Sequence, residues 1–196
     1  MSKNYEKENY EKELIKIISQ QEWLMNALKV VKNLNLPDWY IAAGAIRNTV
    51  WNYFHGFPTE SNQNDIDVVY YDSADLQSKN EKIIEEKLKS KLNLNWEVVN
   101  QARAHLFKQD SGKIRPAAKN SYDALTYWTE TPTSIGIRLE KNGKFTICAP
   151  HGLNDLMKMK VRPPPPPYQD LILYKTRMKE KKWKKIWPKL QIFDLD

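Results

Sequence analysis

The sequence predicts an α/β (α+β) fold in which helices flank a mixed β-sheet. Two observations carry this prediction: short apolar runs typical of strands alternate with longer segments of helical periodicity, and a hairpin signal follows in the second half. The chain has 196 residues. That length suits one domain with a packed core, because a chain of roughly 150 residues buries about 70% of its unfolded surface.

The first elements are predicted to be a helix, a strand and a second helix. Apolar residues recur at helical spacing over residues 10–34, so we expect one helix there. A short buried strand over 39–43 then runs into Gly44, and a helix is expected over 46–55. Glycine, proline and a polar run predict a loop over 56–64.

The remaining elements continue the alternation and then close with a hairpin. Asn142-Gly143 between two apolar runs is the strongest short hairpin signal in the chain. The predicted strands are 65–71, 96–99, 135–139 and 144–148, and the predicted helices are 74–91, 121–128 and a short one at 154–157.

The charge balance favours anionic partners such as nucleotides or nucleic acid. Lysine and arginine number 31 against 24 acidic residues, a net charge of +7. Much of the excess lies in residues 175–189, where aromatic residues are interleaved. This segment is either a solvated face of a terminal helix or a binding surface for a phosphate backbone. Trp183 and Trp187, four residues apart, are expected to anchor it against the body.

Cysteine content and hydropathy limit the cellular compartments in which we expect this protein. The single cysteine, Cys148, excludes an intramolecular disulfide framework and a cysteine-rich zinc site. No apolar run approaches the ~18 residues of a membrane-spanning helix, and residues 1–16 lack the apolar region of a signal peptide. We therefore expect a reducing, cytoplasmic compartment, with Cys148 in the core.

Two aspartates on a predicted strand are the main chemical signal. Asp65 and Asp67 are two residues apart, so their side chains project from the same face of the strand. Paired carboxylates suit Mg²⁺, which is held by one or two carboxylates and substrate phosphates. Gly44 precedes a helix whose first amides are suited to a phosphate. The alternatives are a solvated strand start and an ordinary turn glycine, but the combination indicates phosphoryl or nucleotidyl transfer.

The sequence at this point resembles a known family. It is similar to bacterial predicted nucleotidyltransferases of the polymerase-beta-type superfamily, over roughly residues 24 to 190. The resemblance rests mainly on four runs: AGAIRNTVWNY at 43–53, DIDVVYYD at 65–72, WEVVNQARAH at 96–105 and APHGLNDL at 149–156.

This resemblance implies a nucleotidyltransferase-like mixed sheet flanked by helices. The turn at Gly44 and Ala45 would hold the triphosphate, and Asp65 and Asp67 would bind Mg²⁺. The superfamily usually adds a third carboxylate from a neighbouring strand, and Glu97 is the candidate here, the alternative being an exposed strand glutamate. Ala45 departs from the usual Gly-Ser or Gly-Gly pair, which removes one hydroxyl donor worth about 1 kcal/mol.

Further polar residues are candidates for substrate binding. Arg47 and Asn48 lie one turn into the helix after Gly44, where they can reach phosphates or base; alternatively, Arg47 pairs with a local carboxylate. A second cluster directly follows a predicted strand, which is where α/β-type sheets place ligands. The alternative for that cluster is hydrogen bonding to loop backbone, and its members are Asn100, Gln101, Arg103 and His105.

The domain organisation is predicted in three parts. Residues 1–162 form a nucleotidyltransferase-like domain that includes the N-terminal helix, and five prolines at 163–167 form a polyproline spacer. Residues 168–196 are expected to form a basic C-terminal helix that packs on the domain.

The predicted activity is Mg²⁺-dependent transfer of a nucleoside monophosphate from an NTP to a hydroxyl acceptor, with release of pyrophosphate. The alternative is a module of the same fold that binds a nucleotide or RNA without catalysis, and a third hypothesis is an RNA-binding adaptor acting through the basic tail. Contact of Glu97 with the metal site would favour the enzyme. The acceptor is open, with RNA a candidate through the basic C-terminal segment.

Overall fold

The structure, a computed structural model, describes residues 3–106, 112 and 115–193. A five-stranded sheet has the spatial order β3-β2-β1-β4-β5. Strands β2 and β3 are parallel and the other neighbours are antiparallel, which confirms the predicted mixed sheet. The strands are β1 (Tyr40–Ala42), β2 (Ile66–Tyr70), β3 (Trp96–Asn100), β4 (Gly136–Leu139) and β5 (Phe145–Cys148). The pairing of β4 with β5 also confirms the predicted hairpin.

Helices surround this sheet, and a second, two-stranded parallel sheet pairs β6 (Lys160–Val161) with β7 (Gln191–Ile192). A six-residue 3₁₀ helix, Gln101–Leu106, follows β3 directly. The α-helices are α1 (Lys3–Ser19), α2 (Glu22–Lys32), α3 (Gly44–His55), α4 (Ser78–Lys91), α5 (Ser121–Thr126), α6 (Asn154–Met157), α7 (Leu171–Lys181) and α8 (Trp183–Ile186).

The prediction of one helix over residues 10–34 is wrong, because the chain turns between α1 and α2. The hydroxyl of Ser19 donates to the carbonyl of Ile15 at 2.6 Å, and Gln21 is extended. Side-chain hydrogen bonds of this kind compete with continued helix. The break lets both helices bury their apolar faces: Leu14, Ile17 and Ile18 from α1, and Leu24, Ala27 and Leu28 from α2.

The main core lies against one face of the sheet. Alternate strand residues point to this face, among them Ile41, Val68 and Ile137. Helix α3 contacts β1 and β2, α2 contacts β4, α4 contacts β3, and α1 packs against α2 and α3. This face is therefore covered by helices.

The opposite face carries a smaller apolar cluster and the acidic residues. Tyr40, Ala42, Val69 and Cys148 pack there with Leu125 of α5. Cys148 is buried, as expected. Asp67 and Glu97 alternate with core residues of β2 and β3, so their side chains belong to this second face.

The C-terminal segment packs on α3 through its tryptophans. The rings of Trp183 and Trp187 meet the buried ring of Trp51 edge-to-face, with centroids 5.5 and 5.2 Å apart. The indole nitrogen of Trp187 donates to Asn52 Oδ1 at 2.7 Å. This confirms the predicted tryptophan anchor. The predicted single basic helix is two helices, because Lys182 between α7 and α8 has φ 48°.

The outer edge of β3 is covered by glutamates of α4. Glu85 Oε1 accepts from the amide of Val98 at 3.0 Å, and Glu81 Oε1 accepts from the amide of Asn100 at 2.8 Å. These bonds satisfy backbone donors that an edge strand otherwise exposes. No helix in the described ranges is long and apolar enough to cross a membrane.

Replacement of Gly136 by alanine should destabilise the sheet, because the added Cβ would lie 2.8 Å from Tyr40 Cβ on the neighbouring strand. Overpacking of this kind costs about 2 kcal/mol in the free energy of unfolding. Urea denaturation measures the loss. Gly143→Ala is the comparison, because its methyl meets nothing within 4 Å and only the positive φ of 79° opposes it. A loss for Gly136→Ala no larger than that for Gly143→Ala would contradict the packing argument.

Candidate active site

Three carboxylates meet on the second face of the sheet. Asp65 directly precedes β2, Asp67 lies within it, and Glu97 of β3 is the register partner of Asp67. One carboxylate oxygen from each of the three lies within 4.8 Å of the others. The parallel register produces this cluster, because paired residues of neighbouring strands project from the same face.

Burial and mutual repulsion make this cluster unfavourable when it is fully ionised. Burial, followed by the charges of Asp65 and Glu97, raises the pKa of Asp67 to about 7, although Arg47 and the Gly44 amide oppose the rise. The pKa of Glu97 is also raised, first by burial and then by Asp65. A divalent cation would relieve this repulsion. Three carboxylates are the oxygen donors that Mg²⁺ prefers, so the residues present fit that ion.

The turn after β1 places Gly44 beside the carboxylates. Helix α3 begins at Gly44, and the Gly44 amide donates a hydrogen bond to the carboxylate of Asp67. The unusual conformation falls on Ala43, with φ 51° and ψ −122°, rather than on the glycine. Ala43 and Gly44 line the cavity, whereas Ala45 is fully buried in the core and does not. The expected role of Ala45 at the phosphate turn therefore does not involve its side chain, and it stays a prediction.

Arg47 and Asn48 line the cavity, yet both are tied into the protein. Arg47 Nη1 donates to Thr133 Oγ1 at 2.7 Å, and Nε and Nη2 donate to Asn48 Oδ1 at 3.1 and 2.8 Å. The guanidinium also lies over the ring of Trp183, 4.2 Å from its centroid. Burial lowers the pKa of Arg47 to about 10, so the group stays charged at neutral pH. Its direct partners are an amide and a hydroxyl, not a carboxylate.

The cavity in front of these groups has a volume of about 460 Å³. This is within the range of small-molecule sites. Trp183 and Trp187, which the sequence predicts as an anchor, also line the cavity. The lining residues that were not singled out individually in the sequence are Asn62, Asn64, Arg115, Trp128, Thr129, Glu130, Thr133, Arg177, Lys181 and Ile186.

Two of these groups had a visible signal in the sequence. Arg177 and Lys181 are four residues apart, the spacing that places side chains on one helical face. Glu130 belongs to the polar run 129–134, which is buried throughout and packs at the cavity. Only the fold shows that a polar run is buried, since the same composition also suits an exposed loop.

The loop over 56–64 is held to α3 by amide side chains. Asn48 Nδ2 donates to the carbonyl of Asn62 at 2.8 Å, and Asn52 Nδ2 donates to the carbonyl of Ser61 at 2.6 Å. These bonds fix the position from which Asn62 and Asn64 face the cavity.

The predicted binding cluster after β3 is not brought to this cavity. Asn100 Nδ2 donates to the carbonyls of Asp72 and Asp75 at 2.8 and 2.6 Å, so this buried side chain fixes the loop after β2. Arg103 forms an ion pair of 2.6 Å with Glu81. Hydrogen bonding to loop backbone, the alternative considered for the cluster, describes Asn100 correctly.

Gln101 and His105 also lie outside the large cavity. Gln101 lines a second cavity of about 230 Å³, which shares Asp67 and Glu97 with the first. His105 lines only a small pocket beside Pro116. Gln101 therefore lies beside the carboxylates, whereas His105 lies away from them. The substrate-binding role expected of these two residues stays a prediction.

Comparisons with known proteins agree with this fold. A sequence-family model described as nucleotidyltransferase matches residues 29–192. An NMR structure reported to reveal a CCA-adding enzyme head domain is 28% identical, with a TM-score of 0.81 over 94% of this chain and 96% of that one. The Thermotoga maritima CCA-adding enzyme complexed with tRNA is 14% identical, with a TM-score of 0.56 over 92% of this chain and 42% of that one. The second likeness shows the fold alone. No curated protein matches the sequence.

Asp67 should destabilise the metal-free protein as the pH rises. The folded carboxyl keeps its proton to about pH 7, whereas the unfolded one releases it near 3.8, so the folded state binds more protons between these values. Stability therefore falls with rising pH in this window. Asp67→Asn removes the fall, and at pH 8 in EDTA we expect the variant to be more stable by on the order of 2 kcal/mol.

Urea denaturation between pH 4 and pH 8 tests this expectation, and the advantage of the variant should shrink towards acid pH. Glu86→Gln is the control, because Glu86 is an exposed carboxylate on α4. A variant that is less stable than the wild type across the whole range would contradict the assignment.

Proposed function

The chain belongs to the nucleotidyltransferase family whose model covers residues 29–192, and we propose that it transfers a nucleoside monophosphate from an NTP to a hydroxyl acceptor. Pyrophosphate is the second product. The observation that carries this proposal is the cluster of Asp65, Asp67 and Glu97 at a cavity that also holds the start of α3 and several cationic side chains.

The carboxylate cluster is proposed to hold Mg²⁺. Asp65, Asp67 and Glu97 would be its ligands, and bound Mg²⁺ would neutralise phosphate charge and favour ionisation of the acceptor hydroxyl. The positions of the three oxygens and the raised pKa of Asp67 support this proposal, because both indicate a site that is short of positive charge.

The other groups of the cavity have complementary roles. The α3 N-terminus at Gly44 directs backbone amides and the positive end of the helix dipole towards the phosphates. Arg47, fixed by Asn48 and Thr133, supplies a permanent positive charge behind them. These groups position the triphosphate and lower the energy of charge that develops during transfer.

The reaction itself is an in-line displacement at the α-phosphorus. The acceptor oxygen forms a bond to this phosphorus, and the bond to the bridging oxygen of pyrophosphate breaks with its electron pair on the leaving group. Glu97 is the proposed acceptor of the hydroxyl proton, a role supported by its exposure, the greatest of the three carboxylates, and by its raised pKa.

The binding-only alternative rests on Ala45, which lacks the hydroxyl usual at the phosphate turn. One observation favours the enzyme over it. The Glu97 carboxylate lies within 4.8 Å of those of Asp65 and Asp67, as a third ligand requires.

RNA is the proposed acceptor. Exposed lysines at Lys182, Lys184 and Lys185 surround α8, a helix whose Trp183 and Ile186 line the cavity. A basic surface at a cavity mouth suits a phosphate backbone whose terminal hydroxyl enters the site. The likeness to a CCA-adding enzyme head domain supports this choice of acceptor. Cytoplasmic location is proposed on the single buried thiol of Cys148.

Asp65→Asn should abolish transfer without unfolding the protein. We expect turnover, measured as label moved from an α-labelled NTP to RNA, to fall by about three orders of magnitude, because an isosteric amide cannot replace a metal-binding carboxylate. The thermal midpoint in EDTA should stay equal to that of the wild type or rise. Glu86→Gln is the control and should keep full activity.

The same variant separates catalysis from simple binding. NTP should raise the thermal midpoint of the wild type only when Mg²⁺ is present. For Asp65→Asn, the effect of NTP on the midpoint should be the same with and without Mg²⁺. A wild-type shift that is indifferent to metal would favour the binding module, and transfer by Asp65→Asn at the wild-type rate would overturn the assignment.

The basic surface can be tested separately. Lys184→Gln combined with Lys185→Gln removes two exposed charges. RNA affinity should fall, and the slope of log K against log salt should decrease by about 1.4, since single strands contribute ~0.7 per phosphate contact. The matched control is Lys87→Gln with Lys89→Gln on α4, also exposed. Equal effects of the two pairs would show that only net charge matters.

A further inference from the structure

Four cationic side chains in the described part of the chain line the same cavity as the carboxylates: Arg47, Arg115, Arg177 and Lys181. They come from α3, from the segment that precedes α5, and from α7. Cations from separate parts of the fold therefore converge on one solvent-filled space.

Arg47 is engaged by protein groups. Its three guanidinium nitrogens all donate to Asn48 or Thr133, and its plane is stacked on Trp183. A guanidinium has five N–H donors, so these three bonds leave Arg47 only two N–H groups for a phosphate. The other three cations are therefore the stronger candidates for direct phosphate contacts.

Arg177 is held at the cavity by a buried carboxylate. Its Nε donates to Glu130 Oε1 at 2.5 Å and its Nη2 to Glu130 Oε2 at 3.5 Å, and Glu130 is fully buried. The guanidinium is therefore oriented before any ligand arrives. Lys181, one helical turn later, is exposed and lines the same cavity.

Arg115 and Arg177 are close enough to repel each other. Burial lowers the pKa of Arg115 most, Asp170 opposes this effect, and Arg177 lowers the pKa by a smaller amount. Both guanidinium groups line the cavity, where an anion would be attracted to each of them. An anionic ligand in the cavity would therefore offset the repulsion between the two arginines.

We propose that Arg115, Arg177 and Lys181 form a subsite for the terminal two phosphates of the NTP, which depart as pyrophosphate. This inference rests on the proposed function. When the bond between the α-phosphorus and the bridging oxygen breaks, negative charge appears on the pyrophosphate. Cations at that place stabilise the charge, and Arg177, already held by Glu130, does so without reorganisation. The C-terminal segment thereby supplies the leaving-group side of the site.

Binding of inorganic tripolyphosphate, measured by calorimetry in EDTA at low ionic strength, tests the subsite directly. Lys181→Gln and Arg115→Gln should each weaken binding about tenfold, because each removes a charged contact. Lys179→Gln is the matched control, since Lys179 lies on the same helix, is exposed and does not line the cavity. It should change the affinity by less than about twofold. Arg177 is left intact, because its loss would strand the buried charge of Glu130.

The outcomes separate this inference from the proposed function. Asp65→Asn should bind tripolyphosphate at least as tightly as the wild type, since it removes a repelling charge, although it cannot catalyse transfer. Selective losses for Lys181→Gln and Arg115→Gln in a protein without transferase activity would retain the subsite and reject the transferase. Transfer activity with no selective loss, or losses equal to that of Lys179→Gln, would overturn the subsite and retain the transferase.

Discussion

The buried guanidinium of Arg47 is the constraint around which the cavity is built. A charge with 7% of its surface exposed is tolerated only when its donors are satisfied. Its hydrogen bonds reach Asn48 on its own helix and Thr133 in the polar run before β4, and its plane stacks on Trp183 of α8. Three distant parts of the sequence are thus fixed to one group. Helix α3, the polar run before β4 and the C-terminal helix α8 are therefore tied to one another through this side chain.

The two faces of the sheet divide the work of stability and chemistry. Strand β2 shows the division most clearly, because Ile66, Val68 and Tyr70 fill the main core while Asp67 faces the cavity. The same hydrophobic burial that places β2 therefore places the carboxylate as well. Core burial stabilises the sheet despite the repulsion among its three carboxylates, and a bound cation would reduce that repulsion.

The sequence predicted best what depends on local spacing. The separation of two residues between Asp65 and Asp67, the Asn142-Gly143 hairpin and the strand that carries Glu97 were all visible without the fold. Features set by tertiary packing were missed. The role of Glu130 depends on burial of a polar run, and the continuous apolar pattern over 10–34 concealed the break at Ser19.

Asn100 was misleading for a related reason. It follows a strand, as ligand-binding residues often do, yet its side-chain donors hold the adjacent loop. Sequence spacing shows that polar side chains lie near one another. It does not show whether their donors bond to backbone carbonyls of the protein or remain available to a ligand. The α7 residues show the opposite case, since a basic segment readable as a solvated face contributes Arg177 and Lys181 to the cavity wall.

The glutamates of α4 have a consequence for the behaviour of the molecule in a crowded solution. An open strand edge invites strands of other molecules to add on, and β3 is such an edge by its place in the sheet. Glu81 and Glu85 occupy its amides from the side, so an incoming strand would meet two carboxylates instead of free donors. Helix α4 thereby opposes self-association through the edge of β3. The sheet face from which Glu97 projects remains open to the cavity.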